Sequence, residues 1–344
     1  MASLQQSFDH NPFPAYIRYP VLALTYVLIK PLLWLVDKAG YADQLWTAVG
    51  HKMRKELIKG HDFGDYRPTK HDVVVCAYPK CGQNWTLQIT YQIAMRGNGE
   101  FRHIHDIIPW PDWAKQDIVV PLSDDTARKA APTGLRVIKT HLEWERVPYT
   151  EEARYICIVR DPKDSFVSNY HFIRDVMLGP LMPSVPVWLR LFFSDAAPFI
   201  WSEHLHGYWK NRHLPNLLIL TFEEMKQDLP KAVQRITDFM GVELTQDELD
   251  LVCEKSSFTH MKGIDDKFKP PALSPWSLPN RQMIRRGVSG GSSELLSSEQ
   301  QRFIDTHSKA DLERIGSDFP YDEVWGDQAG AGKSGTATES PQTA

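Results

Sequence analysis

Four short runs rich in β-branched and aliphatic residues stand out along the chain. They are Asp72-Val73-Val74-Val75-Cys76-Ala77-Tyr78, Leu135-Arg136-Val137-Ile138-Lys139-Thr140, Arg154-Tyr155-Ile156-Cys157-Ile158-Val159-Arg160 and Leu217-Leu218-Ile219-Leu220-Thr221-Phe222. Runs of this length and composition predict buried strands. Pro79-Lys80-Cys81-Gly82 breaks the first. Beyond it Trp85, Ile89, Ile93 and Ala94 recur at helical spacing, and Gly97 marks the stop. After the third run, Asp161 and Pro162 make an N-cap followed by proline at the first helical position, predicting a helix through Ser168 to about Phe172. Further helices are expected over 230–240, 246–255 and 298–315. Apolar strands alternating with helices predict an α/β fold, a parallel sheet covered on both faces.

Two apolar stretches do not fit that alternation. Tyr19 to Val36 is the most apolar part of the chain, interrupted in the middle by Lys30-Pro31. A spanning helix needs about 20 apolar residues, and Pro31 is expected to break this one. Two short pieces edged by Tyr, Trp and Lys suit peripheral membrane contact through residues 15–36; a buried extension or an oligomer contact is the alternative. Met1 to His10 carries no Lys or Arg, which argues against a secretory leader. The second stretch runs from Leu178 to Phe193. Its three prolines, Pro180, Pro183 and Pro186, prevent one continuous helix and leave room for a short one over 187–193. Residues 326–344, rich in Gly, Ala, Ser and Thr, are expected to be a disordered tail. Within it Gly330-Ala331-Gly332-Lys333-Ser334 resembles half a nucleotide loop, but Asp327 stands where its first glycine belongs. The expected division is an N-terminal extension over 1–50, one domain over 51–325 and the tail.

Composition narrows the function classes. The chain has 344 residues, with 39 Lys and Arg against 43 Asp and Glu, a formal net charge of −4. That balance disfavours nucleic acid as a partner. Four cysteines, none spaced C-x-x-C, make neither a disulfide scaffold nor a zinc knuckle and suit a reducing, cytoplasmic setting.

Candidate chemistry gathers at the strand ends. A loop from a strand into a helix N-terminus binds anions through free N–H groups and the helix dipole, and Lys80 adds a full charge there. Cys81 follows Lys80 where a kinase-type loop needs a magnesium-binding Ser or Thr. In Lys139-Thr140-His141, residues two apart share a strand face, so Lys139 and His141 project together. His141 is suited to take a hydroxyl proton and Lys139 to steady a leaving group. Arg160 and Ser168 could hold a phosphate. Arg285-Arg286-Gly287-Val288-Ser289-Gly290-Gly291 is a flexible basic loop. His103 and His105 have no third metal ligand in register.

In this order, Tyr-Pro-Lys-x-Gly-x-x-Trp, Lys-Thr-His, Arg-Asp-Pro-Lys-Asp-x-x-x-Ser and Arg-x-Gly-x-x-Gly, the chain resembles the cytosolic sulfotransferase family over residues 65–320. The resemblance implies a single α/β domain with a P-loop-like core, the donor 3′-phosphoadenosine 5′-phosphosulfate (PAPS), and transfer without a metal. It implies that Lys80, Cys81, Gly82, Gln83, Asn84 and Trp85 hold the phosphosulfate end, with Trp85 on the adenine. Lys139 would assist at the bridging oxygen and His141 would be the general base. Arg160 and Ser168, joined by Arg285, Arg286 and the amide of Gly287, would bind the 3′-phosphate. Ser256-Ser257-Phe258 resembles the family's Thr-Ser-Phe, which makes Phe258 a second adenine-side aromatic. His105, Pro109 and Trp110 fall in the loop that lines the acceptor in relatives, and with His141 and Phe172 form the expected acceptor side.

The departures are specific. The family usually has Ser-Gly-Thr-Thr where this chain has Cys81-Gly82-Gln83-Asn84, and Phe222 stands where many relatives have Tyr. The family's dimer motif is not recognisable after Gly291. Cys81, at a helix N-terminus, is expected to have a lowered pKa, so that its oxidation would block the donor. The apolar N-terminus and the apolar 178–193 segment suggest a hydrophobic alcohol as acceptor, with an amine as the weaker choice. The rival readings are a nucleotide-dependent phosphotransferase and a non-catalytic nucleotide binder.

Overall fold

The computed structural model describes residues 13–58, 62–113, 116–279 and 281–326. The four apolar runs form β1 (Asp72–Ala77), β2 (Arg136–Thr140), β3 (Arg154–Val159) and β4 (Leu217–Thr221). All pairings are parallel, in the order β2-β1-β3-β4. Every residue of β1 and β2 is buried, as strands covered on both faces require.

The helices are numbered along the chain. The first two, α1 (Ala15–Leu24) and α2 (Lys30–Lys38), are joined by a π turn over Thr25–Ile29. This is one unbroken helix, and the expected break at Pro31 is absent. Pro31 lies in the first turn of α2, directly after the π turn, where the widened backbone relieves the clash a proline makes with the preceding turn. Among the described residues Ala15–Lys38 is the one helix long and apolar enough, by length and composition, to cross a membrane. The expected junction after residue 50 falls inside α3 (Ala42–Ile58), which packs on the domain. Its Trp46 meets Trp188 edge-on at 6.4 Å and its Asp43 pairs with Arg190 at 2.7 Å.

After β1 comes α4 (Gln83–Ala94), then α5 (Thr126–Ala130) before β2. After β3 come α6 (Pro162–Ile173), α7 (Val185–Phe192) and α8 (Trp201–Trp209). After β4 follow α9 (Phe222–Gln227), α10 (Leu229–Met240), α11 (Gln246–Lys255), α12 (Phe258–Gly263), α13 (Ser298–Arg314) and α14 (Tyr321–Trp325). Between α6 and α7 the apolar segment forms a second π turn, Arg174–Leu178, and a 3₁₀ turn, Gly179–Leu181. The short helix expected over 187–193 is α7, which begins two residues earlier with Pro186 in its first turn, where a proline needs no N–H partner. The Gly330–Ser334 stretch and most of the expected tail lie outside the described residues.

Candidate active site

The chain leaves β1 toward β2 on one side and leaves β3 toward β4 on the other. The C-terminal ends of β1 and β3 therefore border the crevice where doubly wound sheets bind ligands. The β1 loop turns tightly there: the Cys81 N–H donates to the Tyr78 carbonyl at 3.2 Å, and Lys80 and Gly82 adopt φ of 73° and 96°. Gly82 is required twice over, by that left-handed backbone and because a Cβ would sit 2.6 Å from the Phe222 ring. No side chain caps the N-terminus of α4, where the chain enters the helix from the C-terminal end of β1. Arg160, at the end of β3, donates to the Lys80 carbonyl at 3.2 Å and to the Val288 carbonyl at 2.9 Å. Its guanidinium lies 4.2 Å from the centre of the Phe222 ring, and its Nε is buried without a partner. Arg160 thus ties the β1 loop to the glycine-rich basic loop.

Lys139 and His141 do project together. The Lys139 ammonium lies 3.5 Å from the centre of the Trp110 ring, and the His141 ring meets Trp110 edge-on at 5.4 Å. Pro109 holds this loop to the strand by accepting from the Lys139 N–H at 2.9 Å. His141 Nδ1 lies 2.7 Å from the Ala77 carbonyl oxygen. A carbonyl only accepts, so Nδ1 carries the proton and Nε2 keeps its lone pair. Burial, reinforced by Lys139, pushes the His141 pKa well below the ordinary histidine value, so the ring is neutral at pH 7. Burial also lowers Lys139 to about 7 against the pull of Asp112, and lowers Lys80 to about 8, with Arg160 adding to the effect. Asp112 accepts from the His141 N–H at 2.9 Å, and burial raises its own pKa.

The aromatics expected on the adenine side also assemble. Trp85 meets Phe222 at 5.4 Å and donates from Nε1 to the Ser256 carbonyl at 2.7 Å. Ser256 Oγ is buried without a partner. Phe258 packs on Gly287, whose φ of 59° and lack of a side chain allow that contact. Ser168 is half-buried on α6 and Asn84 half-buried on α4. Arg285 and Arg286 both pair with Glu294, which also lies 3.5 Å from His171. Of the residues expected on the acceptor side, Phe172 lies under Lys80, 4.2 Å from its ammonium, and the His105 ring lies tilted against Trp110 at 5.1 Å.

Two expectations change. Cys81 is buried, beside the Ser165 hydroxyl at 3.4 Å, and burial pushes its thiol up to about 12 rather than down. Peroxide treatment should therefore leave nucleotide binding unchanged, as calorimetry before and after exposure will read. The Gln83 amide does not replace a phosphate-binding hydroxyl. It turns inward and donates to the Val75 and Thr140 carbonyls at 3.0 and 2.6 Å, tying α4 to β1 and β2. His103 accepts from the His105 N–H at 3.2 Å, and among the described residues no group of three or more His, Cys, Asp or Glu could hold a metal ion. Asp112, Phe199, Met283 and Glu294 were not expected. Phe199 meets the His141 ring at 6.1 Å and Met283 Sδ lies 3.4 Å from the Lys80 ammonium. All four sit outside the motifs, on segments whose approach depends on tertiary path.

A family model described as "Sulfotransferase domain" matches residues 70–316. Sulfotransferase 2A6 of Rattus norvegicus is 31% identical over 227 residues, 64% of this chain and 77% of that protein. Sulfotransferase 2A1 of Homo sapiens is 28% identical over 227 residues, 64% and 76% of the two chains. The crystal structure of retinol dehydratase in complex with androsterone and inactive cofactor PAP matches with a TM-score of 0.60 at 20% identity, covering 78% of this chain and 88% of that one. Mouse sulfotransferase SULT7A1 complexed with PAP gives 0.55 at 24% identity, covering 77% and 95%. At these identities the structural likeness shows the fold.

Proposed function

The chain belongs to the sulfotransferase family, and from that premise we propose that it transfers a sulfuryl group from PAPS to the hydroxyl of a hydrophobic small molecule. The carrying observation is the Nδ1 contact of His141 with the Ala77 carbonyl, which leaves Nε2 as a free base beside Lys139. The donor fits what the crevice offers: an uncapped helix N-terminus, the orphaned Arg160 Nε and Ser256 Oγ, and an aromatic group of Trp85, Phe222 and Phe258. Lys80 and the α4 amides would hold the 5′-phosphosulfate end. Arg160, Ser168, Arg285, Arg286 and the Gly287 amide would hold the 3′-phosphate, the two outer arginines turning from Glu294.

PAPS supplies an activated sulfur whose bond to the bridging oxygen breaks as the acceptor oxygen bonds to it, releasing 3′-phosphoadenosine 5′-phosphate (PAP). His141 Nε2 takes the acceptor's proton, and Lys80 and Lys139 offset charge growing on the bridging oxygen. Trp110, Phe172, Phe199 and Met283 give the acceptor side its apolar walls. The four free cysteines, three of them buried, support a protein that works in a reducing compartment such as the cytoplasm.

The test is isothermal titration with PAP, ATP and AMP without added metal. Selective binding of PAP supports the reading; preference for ATP with magnesium overturns it in favour of phosphoryl transfer. The lysines add a pH signature. An anion binds the protonated lysine, so affinity is greatest below its pKa in the free protein and falls as pH rises through it. With Lys80 near 8, PAP binding should weaken between pH 7.5 and 9.5, by up to about tenfold per pH unit, with proton uptake. Lys80→Arg, which stays charged, should flatten the profile.

A further inference from the structure

The helix Ala15–Lys38 is apolar on every side. Val21, Leu22, Ile29, Leu33 and Val36 are partly buried against the domain, while Leu24, Val27, Leu28, Leu32 and Leu35 are each at least half exposed. Lys30 is the only charge between Arg18 and Asp37. A helix on a soluble domain turns a polar face to water; this one does not.

Its attachment fixes how it lies. At one end Arg18 donates to the Ser277 carbonyl at 3.1 Å, and in the middle Trp276 Nε1 donates to Thr25 Oγ1 at 2.8 Å. At the other end Leu33, Trp34, Val36 and Asp37 line a cleft of about 170 Å³ against Pro180–Ser184. A helix of 24 residues is about 36 Å long. Held at both ends and the middle, it cannot carry one end across roughly 30 Å of hydrocarbon; it lies along the domain. Exposed Tyr16 and Tyr19 lie in its first two turns, Tyr26 at its middle and Trp34 near its other end, so rings occur at mid-helix as well as at both ends. Lys30 and Lys38 fold over Tyr26 and Trp34 at 5.2 and 5.9 Å. Amphipathic rings and bent lysines of this kind suit headgroup depth.

We propose that Ala15–Lys38 is an in-plane membrane anchor whose outward face beds in a lipid surface, and that the acceptor reaches the site from that surface. The second clause rests on the sulfotransferase reading. The helix is coupled to the acceptor side. Its π turn packs on Gly179–Leu181, and the segment that grips it is laced to the neighbouring turn, Ser277 and Ser274 donating to the Val176 and Met177 carbonyls. That turn directly follows α6, which carries Phe172. The cleft between the helix and Pro180–Ser184, just beyond that turn, is the expected route for a membrane-dissolved alcohol.

The test is flotation of the full chain with neutral phosphatidylcholine vesicles, beside the double variant Leu28→Asp, Leu35→Asp. The parent should float, and the variant's partition should fall at least about tenfold with PAP affinity unchanged. Sulfation of a sterol alcohol in vesicles should fall with it, while that of a water-soluble alcohol should not. Cysteines introduced as Tyr16→Cys and Tyr41→Cys should both label from outside with an impermeant maleimide, above the parent's background. A parent that stays unfloated overturns the anchor. So does a vesicle-free dimer that the variant dissociates, or protection of one cysteine, which marks a spanning helix. Flotation by a parent that binds no PAP would keep the anchor and sink the sulfotransferase reading instead.

Discussion

Replacing His141 by glutamine should lower turnover by about 10²–10⁴, the usual worth of a positioned general base, while PAP affinity stays within about twofold. The ring is locked by its bond to the Ala77 carbonyl, and burial keeps it neutral. It therefore works in its free-base form across the neutral range, and its acid limb should lie well below pH 6.5. Glutamine can still donate to the Ala77 carbonyl but has no basic nitrogen to offer the acceptor. The measurement is the initial rate with PAPS and a hydrophobic alcohol, beside a PAP titration. A loss below tenfold would transfer the role to Lys139, which burial brings near 7 and so partly frees of its proton at neutral pH. A loss of PAP affinity would mean that His141 supports the donor site rather than the acceptor.

The second large effect is on binding. Arg160→Ala should weaken PAP binding by about 100-fold or more, since charge-assisted hydrogen bonds are worth roughly 1.5–3 kcal/mol each. Arg160 reaches the Lys80 carbonyl, the Val288 carbonyl and the Phe222 face at once. Its removal loosens the β1 loop and the glycine-rich loop together. Arg160→Lys should recover little, because a point charge cannot fork between two loops. AMP, which lacks the 3′-phosphate, discriminates the causes. If AMP binding is lost in parallel with PAP binding, Arg160 acts by holding the loops. If AMP binding survives, it acts on the 3′-phosphate.

The strands were legible because a parallel sheet buried on both faces needs continuous β-branched runs, and no other part of the chain combines them with strand-length limits. The strand order was not legible, since nothing local says that β3 crosses back past β1. That Lys80, Lys139, His141 and Arg160 would gather was legible from motifs because each lies at a strand end, where sequence position and spatial position nearly coincide. Asp112 and Phe199 lie on loops and Glu294 on a short 3₁₀ turn, and their approach is decided by packing far from themselves. Cys81 shows the limit of a one-dimensional rule. Its position at a helix start was read correctly, but the left-handed turn at Lys80 sends its side chain into the core, where burial outweighs the helix dipole. Pro31 fails the same way, since a neighbouring π turn changes what a proline costs.

The Gln83 amide carries a consequence for how the nucleotide meets its loop. The turn from Tyr78 to Gly82 is stapled behind by Gln83 to two strands, within by the Cys81 N–H and in front by Arg160. Its conformational freedom is lost when the chain folds, not when ligand arrives. A preorganised cradle spends little affinity on ordering. Association should therefore occur in a single kinetic step, with no slow phase of loop closure around the phosphates.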